Sequence, residues 1–186
     1  MLNETQRRQL LTVARESIAF VLEGKRADYH HDQFDDDLRR PSGVFVTLTT
    51  HSDELRGCIG SIEPVAPLFL AVAASAVNAA FRDPRFYPVR AGDLEKLRIE
   101  ISVMGPIERV SEIAHIMVGR DGLIIRRGRN AGLLLPQVAT DYGWDRETFL
   151  CQTCVKAGLP RDSWRSPDAL IEKFSAEVFG EVELTR

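Results

Sequence analysis

Residues 44–62 carry the pattern of a β-hairpin, and that pattern narrows the folds open to the whole chain. Val44, Val46 and Leu48 alternate with Phe45, Thr47 and Thr49, a β-branched period-two run suited to a half-buried strand. His51-Ser-Asp-Glu54 supplies turn residues, and the chain returns through Leu55-Arg-Gly-Cys-Ile-Gly60. With the turn centred on Ser52-Asp53, a two- or four-residue loop sets Thr50 against Leu55, Thr49 against Arg56 and Thr47 against Cys58. One face then carries Val44, Val46, Leu48, Leu55 and Ile59 and reads as core. The other carries Phe45, Thr47, Thr49, Arg56 and Cys58, with His51 near its edge.

Helical patterns flank the hairpin. Asn3 and Gln6 form a capping-box signature ahead of Leu10, Leu11, Ala14, Ile18, Val21 and Leu22, and Gly24 is a natural terminator. Residues 25–40 hold Tyr29, His30, His31 and an acidic cluster, and read as an exposed connection ending at Pro41. Pro67 suits the first turn of a helix running to Phe81, and Asp83-Pro-Arg-Phe-Tyr-Pro88 is irregular because two prolines so close forbid continued helix. Residues 93–97 form a short helical turn. Ile99, Ile101 and Val103 alternate with Arg98, Glu100 and Ser102 as a strand, and residues 123–126 form another between turns at Asp121-Gly122 and residues 128–132. Asp145 caps a helix that ends at Gly158. The last segment is open: Ser166-Pro167 invites a helix start, whereas Phe174, Ala176 and Val178 alternate like a strand. Helices and antiparallel strands without a βαβ rhythm place the chain in the α+β class.

Composition excludes several functions. Lys and Arg number 24 against 27 Asp and Glu, a net charge of -3, so bulk-charge binding of nucleic acid is excluded while a local basic patch is not. No apolar run reaches the roughly 20 residues of a membrane span, and the N-terminus lacks the basic start and apolar core of a signal peptide. Three cysteines make an odd, sparse set, which points to a reducing cytoplasm.

Chemistry concentrates at Cys58. It lies on the polar face beside Arg56, and a guanidinium next to a thiol favours the nucleophilic thiolate. Gly57 and Gly60 remove side-chain bulk, which lets a ligand or another backbone approach. Core packing of a free cysteine and a simple glycine bulge are the competing reading. Glu100 sits on the less apolar face of its strand, where it orients a ligand, acts as a base, pairs with an arginine such as Arg56, or is simply solvated. Cys151 and Cys154 fall inside a predicted helix, not at its N-terminus, and lack two further ligands, so Cys154 reads as a packing residue and Cys151 as incidental, and no metal site is assigned. The four histidines read as solvated surface, none placed by sequence beside a nucleophile. Arg126, Arg127 and Arg129 form a basic tip that meets phosphate or RNA, or stays solvated. The glycines at 119–132 are too scattered for a phosphate loop.

Leu55-Arg-Gly-Cys-Ile-Gly60 resembles the signature hexapeptide of the AMMECR-domain family, whose bacterial and archaeal branch is the AmmeMemoRadiSam system protein A. The resemblance continues in order through Ala80-Phe-Arg-Asp-Pro-Arg-Phe86, Glu100-Ile-Ser-Val103, residues 119–125, Gly132-Leu-Leu-Leu-Pro-Gln-Val138, Gly143-Trp144, Phe149-Leu150 and Lys156-Ala-Gly-Leu-Pro160, with Trp164. It covers nearly the whole chain, as one domain over 1–186. It implies antiparallel sheets with flanking helices in two lobes, the larger from both chain ends and the smaller inserted, and makes the final segment a strand. It also implies a shared modification pathway with a Memo-like protein and a radical S-adenosylmethionine enzyme, and it brings no cofactor, reaction or substrate. The hexapeptide residues Arg56, Gly57, Cys58 and Gly60 are the implied functional centre. Asp121 stands where relatives frequently carry histidine, which puts a Cys/His dyad in doubt.

Two function classes follow. In the first, Cys58 is a thiolate nucleophile or covalent carrier, Arg56 holds an anionic group, amides around Gly57 and Gly60 receive negative charge, and Glu100 accepts a proton if its strand neighbours the hairpin. In the second, the hexapeptide surface with Thr47, Arg82, Arg85 and Arg126 binds RNA or a small molecule without catalysis. A purely structural hexapeptide is the third alternative.

Overall fold

A computed structural model describes residues 1–181. The helices and strands, in chain order, are α1 (Glu4–Leu22), α2 (Asp36–Arg39), β1 (Val44–Thr50), β2 (Leu55–Ser61), α3 (Leu68–Phe81), α4 (Ala91–Leu94), β3 (Leu97–Met104), β4 (Glu108–Arg109), β5 (Asp121–Arg127), β6 (Asn130–Leu134), α5 (Pro136–Asp141), α6 (Arg146–Lys156) and β7 (Leu170–Gly180). The fold is α+β, with antiparallel sheets and flanking helices. The chain divides into two compact units, residues 1–104 with 177 onward, and residues 105–176.

In the first unit the strands run β2-β1-β3, all antiparallel. Val44, Val46 and Leu48 from β1 and Ile99, Ile101 and Val103 from β3 turn one way, into a core completed by Leu10, Ala14 and Ile18 of α1 and Phe69, Val72 and Ala76 of α3. The period-two pattern of the strands and the one-sided stripe of α1 bury the same apolar surface, which is what holds the layers together. The start of α1 is fixed by its capping box: the Gln6 amide N–H donates to Asn3 Oδ1 at 2.9 Å, and the Asn3 amide N–H donates to Gln6 Oε1 at 2.7 Å. Arg15 joins α1 to the sheet by donating to both carboxylate oxygens of Glu181 and to the carbonyls of Leu94 and Leu97.

The hairpin departs from its expected register near the turn. The Thr50 amide donates to the Glu54 carbonyl at 2.9 Å, which leaves a three-residue loop with Asp53 in the left-handed region at φ 62°. An odd loop shifts the pairing by one residue, so Thr49 faces Leu55 rather than Arg56. A bulge at Arg56 then takes up the extra residue and restores the expected pair Thr47–Cys58. Leu55 is consequently half-exposed and not a core residue.

Residues 25–40 are not a plain exposed connection. Asp35 caps the short α2, and Phe34 and Leu38, one turn apart, are buried. Phe34 stacks on Phe69 of α3 with ring centroids 4.0 Å apart. The polar residues between them hid this anchor from a periodicity reading. The helical turn expected at 93–97 begins earlier, at Ala91.

In the second unit β5 pairs with β6 and with β7, and β4 pairs with β7. Leu123 and Ile125 pack with Ile116, Ala139, Phe149, Leu150 and Cys154. The final segment is a strand, as the resemblance implied. β6 begins at Asn130, so the turn expected over residues 128–132 is only Gly128-Arg129, with Gly128 at φ 58°. α6 is capped as expected, the Asp145 carboxylate accepting from the Thr148 amide at 2.7 Å, and Gly158 follows it at φ 72°.

Candidate functional site

The site builds from the register of three strands. Thr47 lies opposite Cys58 on one side and opposite Glu100 on the other. Directly paired residues share a sheet face, so Cys58, Thr47 and Glu100 form one row across β2, β1 and β3, on the face away from the α1–α3 core. Thr47 Oγ1 donates to Cys58 Sγ at 3.3 Å, and Cys58 is half-buried. The condition set for Glu100, a strand beside the hairpin on the same face, is therefore met. Cys58 and Glu100 are nonetheless two strand spacings apart, about 9–10 Å between backbones. Direct proton transfer needs an approach of about 3 Å, so a proton could pass between this row's two ends only through a bound group that spans Thr47.

The backbone of Cys58 is clamped from outside the sheet. β2 is an edge strand of this unit, and the outward N–H of Cys58 donates to Asp83 Oδ2 at 2.9 Å. Arg85 donates through Nη2 to the Cys58 carbonyl at 3.3 Å and through Nε and Nη2 to both Asp83 oxygens at 2.9 and 2.7 Å. The Asp83-Pro84-Arg85 turn thus substitutes for a neighbouring strand at this one residue, satisfying its donor and acceptor. Asp83 is buried, and its carboxyl is held far below the usual carboxylate range, first by the Arg85 hydrogen bonds and then, against burial, by the amides of Cys58 and Arg85. Arg85 is correspondingly raised, chiefly by the same bonds. Sequence alone does not single out Asp83, which reads there only as part of an irregular segment. The signal available was an acid and a base flanking a proline directly after a helix.

The two glycines serve the fold. A Cβ on Gly57 would fall on the Ala79 carbonyl oxygen, so its absence lets α3 press against β2. A Cβ on Gly60 would meet the Val44 carbonyl and the Phe45 ring. Of the two approaches weighed, ligand or backbone, the one realised at Gly57 is backbone. Arg56, the bulge residue, keeps Nη1 buried without a hydrogen-bond partner among the described residues. The guanidinium that reaches Cys58 is Arg85's, at the carbonyl; among the described residues Arg56 makes no hydrogen bond to the sulfur.

Other candidates are placed differently. Cys154 is fully buried, and burial pushes its thiol up; Cys151 is half-buried in the same helix. Among the described residues no group of three His, Cys, Asp or Glu side chains is arranged to hold a metal ion, and no histidine hydrogen bonds to Cys58. Arg126 and Arg127 are engaged by Glu172 and Asp168. In the second unit the buried Asp121 takes the Met117 amide at 2.9 Å and pairs with Arg120 through both oxygens. Burial alone would raise its carboxyl, but the Arg120 and Met117 hydrogen bonds lower it on balance. No helix of the described residues is long and apolar enough to cross a membrane.

The comparisons agree with this frame. The AMMECR1 family model matches residues 11–179. A protein of Methanothermobacter thermautotrophicus is 45% identical, covering 97% of this chain and 96% of its own length. One from Thermococcus kodakarensis is 44% identical over 92% of this chain and 88% of its own. A crystal structure of an uncharacterized protein from Pyrococcus horikoshii superposes with a TM-score of 0.86 at 42% identity, covering 92% of this chain and 89% of that one. The chain belongs to the AMMECR1 family.

Proposed function

We propose that this chain is the substrate-holding component of a modification system that includes a Memo-like protein and a radical S-adenosylmethionine enzyme, with Cys58 as its point of contact. The partners are what the family resemblance implies. The role of Cys58 is supported by one observation above all: its sulfur accepts a hydrogen bond from Thr47 in a row that ends at Glu100. A half-buried thiol fixed by a hydroxyl and clamped through its own backbone is held in one orientation, as a covalent carrier or nucleophile requires. Thr47 orients the sulfur, and Glu100 takes a proton from a bound group lying above Thr47.

A second reading has its own support. The buried, unpartnered Nη1 of Arg56 favours non-covalent capture of an anionic small molecule, since an unsatisfied guanidinium nitrogen is costly until an acceptor arrives. RNA is the weaker ligand here, because Arg85 and Arg126 already spend their charge on Asp83 and Glu172.

Metabolite profiling of strains carrying Cys58→Ala or Arg56→Gln separates the two, with folded protein levels checked in each. On the carrier reading, Cys58→Ala reproduces the small-molecule profile of a deletion strain. A silent Cys58→Ala beside a deletion-like Arg56→Gln transfers the function to anion capture. Wild-type profiles in both strains would contradict either role.

A further inference from the structure

Within the first unit, the outer side of α3 and the end of α1 enclose a groove of about 480 Å³ that the Cys58 row does not use. Val21, Leu70, Ala73, Ala74 and Val77 form its apolar walls, and Arg26 and Arg82 line it as cations. Most arginines of this unit are committed: Arg7 to Glu177, Arg15 to Glu181, Arg85 to Asp83 and Arg98 to Asp53. Arg26 and Arg82 have no ion pair or hydrogen bond through their side chains among the described residues, and both are exposed. The hydroxyls in the wall are already used, since Ser17 and Tyr29 both donate to the Val13 carbonyl. The groove therefore offers apolar surface, two cations and one neutral amide, that of Asn78.

We propose that this groove binds a free, single-chain amphiphilic anion, its apolar tail along Ala73, Ala74 and Val77 and its carboxylate or phosphate head against Arg26 and Arg82. Two arguments fix that occupant. The volume lies in the range of small-molecule sites, roughly 300–1,000 Å³. The large apolar side chains exposed along the groove are only Val21 and Leu70, far from the roughly 800 Å² per partner of a stable protein interface. An apolar wall with unpaired guanidinium groups selects an anion over a neutral chain of equal length, because the head group gains charge-assisted hydrogen bonds that no described residue of the unit competes for. The proposal stands apart from the role of Cys58.

Isothermal titration of the whole chain with decanoate and with decyl phosphate, below their micelle concentrations, tests it against decanol as the neutral control. Both anions are expected to bind saturably and at least about tenfold more tightly than decanol, the equivalent of one charge-assisted contact. Arg26→Gln with Arg82→Gln should abolish that preference. Ala74→Trp, a substitution at an exposed position that fills the groove, should remove binding of all three at an unchanged melting temperature. Absence of saturable binding overturns the proposal, as does an affinity indifferent to these variants. Binding confined to vesicles of phosphatidylcholine and phosphatidylglycerol, with none to the monomeric amphiphiles, overturns it in favour of a membrane surface.

Discussion

Gly57→Ala is expected to destabilise the chain by about 3 kcal/mol, the upper part of the range for overpacking a filled site. The added methyl would lie 2.2 Å from the Ala79 carbonyl oxygen, an atom of helix backbone that cannot swing aside as a flexible side chain can. Either β2 lifts or α3 retreats, and both motions open the core at Ile59, Val72 and Ala76. Gly92→Ala is the matched control: its Cβ meets nothing within 4 Å, so its effect stays within about 0.5 kcal/mol. Urea denaturation of the two variants beside wild type reads the difference as a shift in midpoint at constant slope. Equal midpoints for Gly57→Ala and Gly92→Ala would show that the close approach of α3 to β2 does not exist in solution.

Asp83→Ala is the second large effect, expected at about 2–3 kcal/mol from the outward Cys58 amide and the Arg85 guanidinium left without their acceptor. It carries a pH signature. The carboxyl titrates lower in the folded chain than in the unfolded one, so the unfolded state binds the proton more readily. Its contribution is therefore complete above the ordinary carboxylate range near pH 4 and fades as pH falls toward the depressed folded value. Wild type should lose stability across that acid interval more steeply than Asp83→Asn, which has no proton to take up at this position. The comparison needs urea midpoints at several acid pH values. Parallel slopes for the two proteins would mean that the Asp83–Arg85 clamp contributes nothing to the folded state.

The same residues explain how far sequence alone reaches. The pair Thr47–Cys58 and the polar face it occupies were legible, because alternation fixes which side chains share a face. The path to that pair was not. A three-residue loop and a bulge at Arg56 cancel one another, and nothing in a hydrophobic pattern distinguishes their sum from an even loop without a bulge. The placement of Glu100 opposite Thr47 depends on which strand lies beside β1, a long-range pairing that local periodicity does not encode. Arg85 was singled out, yet its purpose emerged only with Asp83, whose acceptor role needs the edge of β2 in three dimensions. Gly57 and Gly60 illustrate the ambiguity of small residues: the sequence allows for an approaching ligand and an approaching backbone alike, and at Gly57 the neighbour is a helix carbonyl. The final strand, open between two patterns, was settled in advance by resemblance rather than by its own residues.

A carrier or nucleophile role requires the sulfur of Cys58 to face the row it shares with Thr47 and Glu100, within reach of a reacting group. Alkylation of the native chain with iodoacetamide, followed by peptide mass spectrometry over time, measures this directly, with the fully buried Cys154 as internal reference. Cys58 is predicted to be modified while the chain remains folded and Cys154 stays intact, and Thr47→Val is predicted to change the Cys58 rate while leaving that of Cys151 alone. Modification of Cys58 only when urea unfolds the chain, in step with Cys154, would contradict the account.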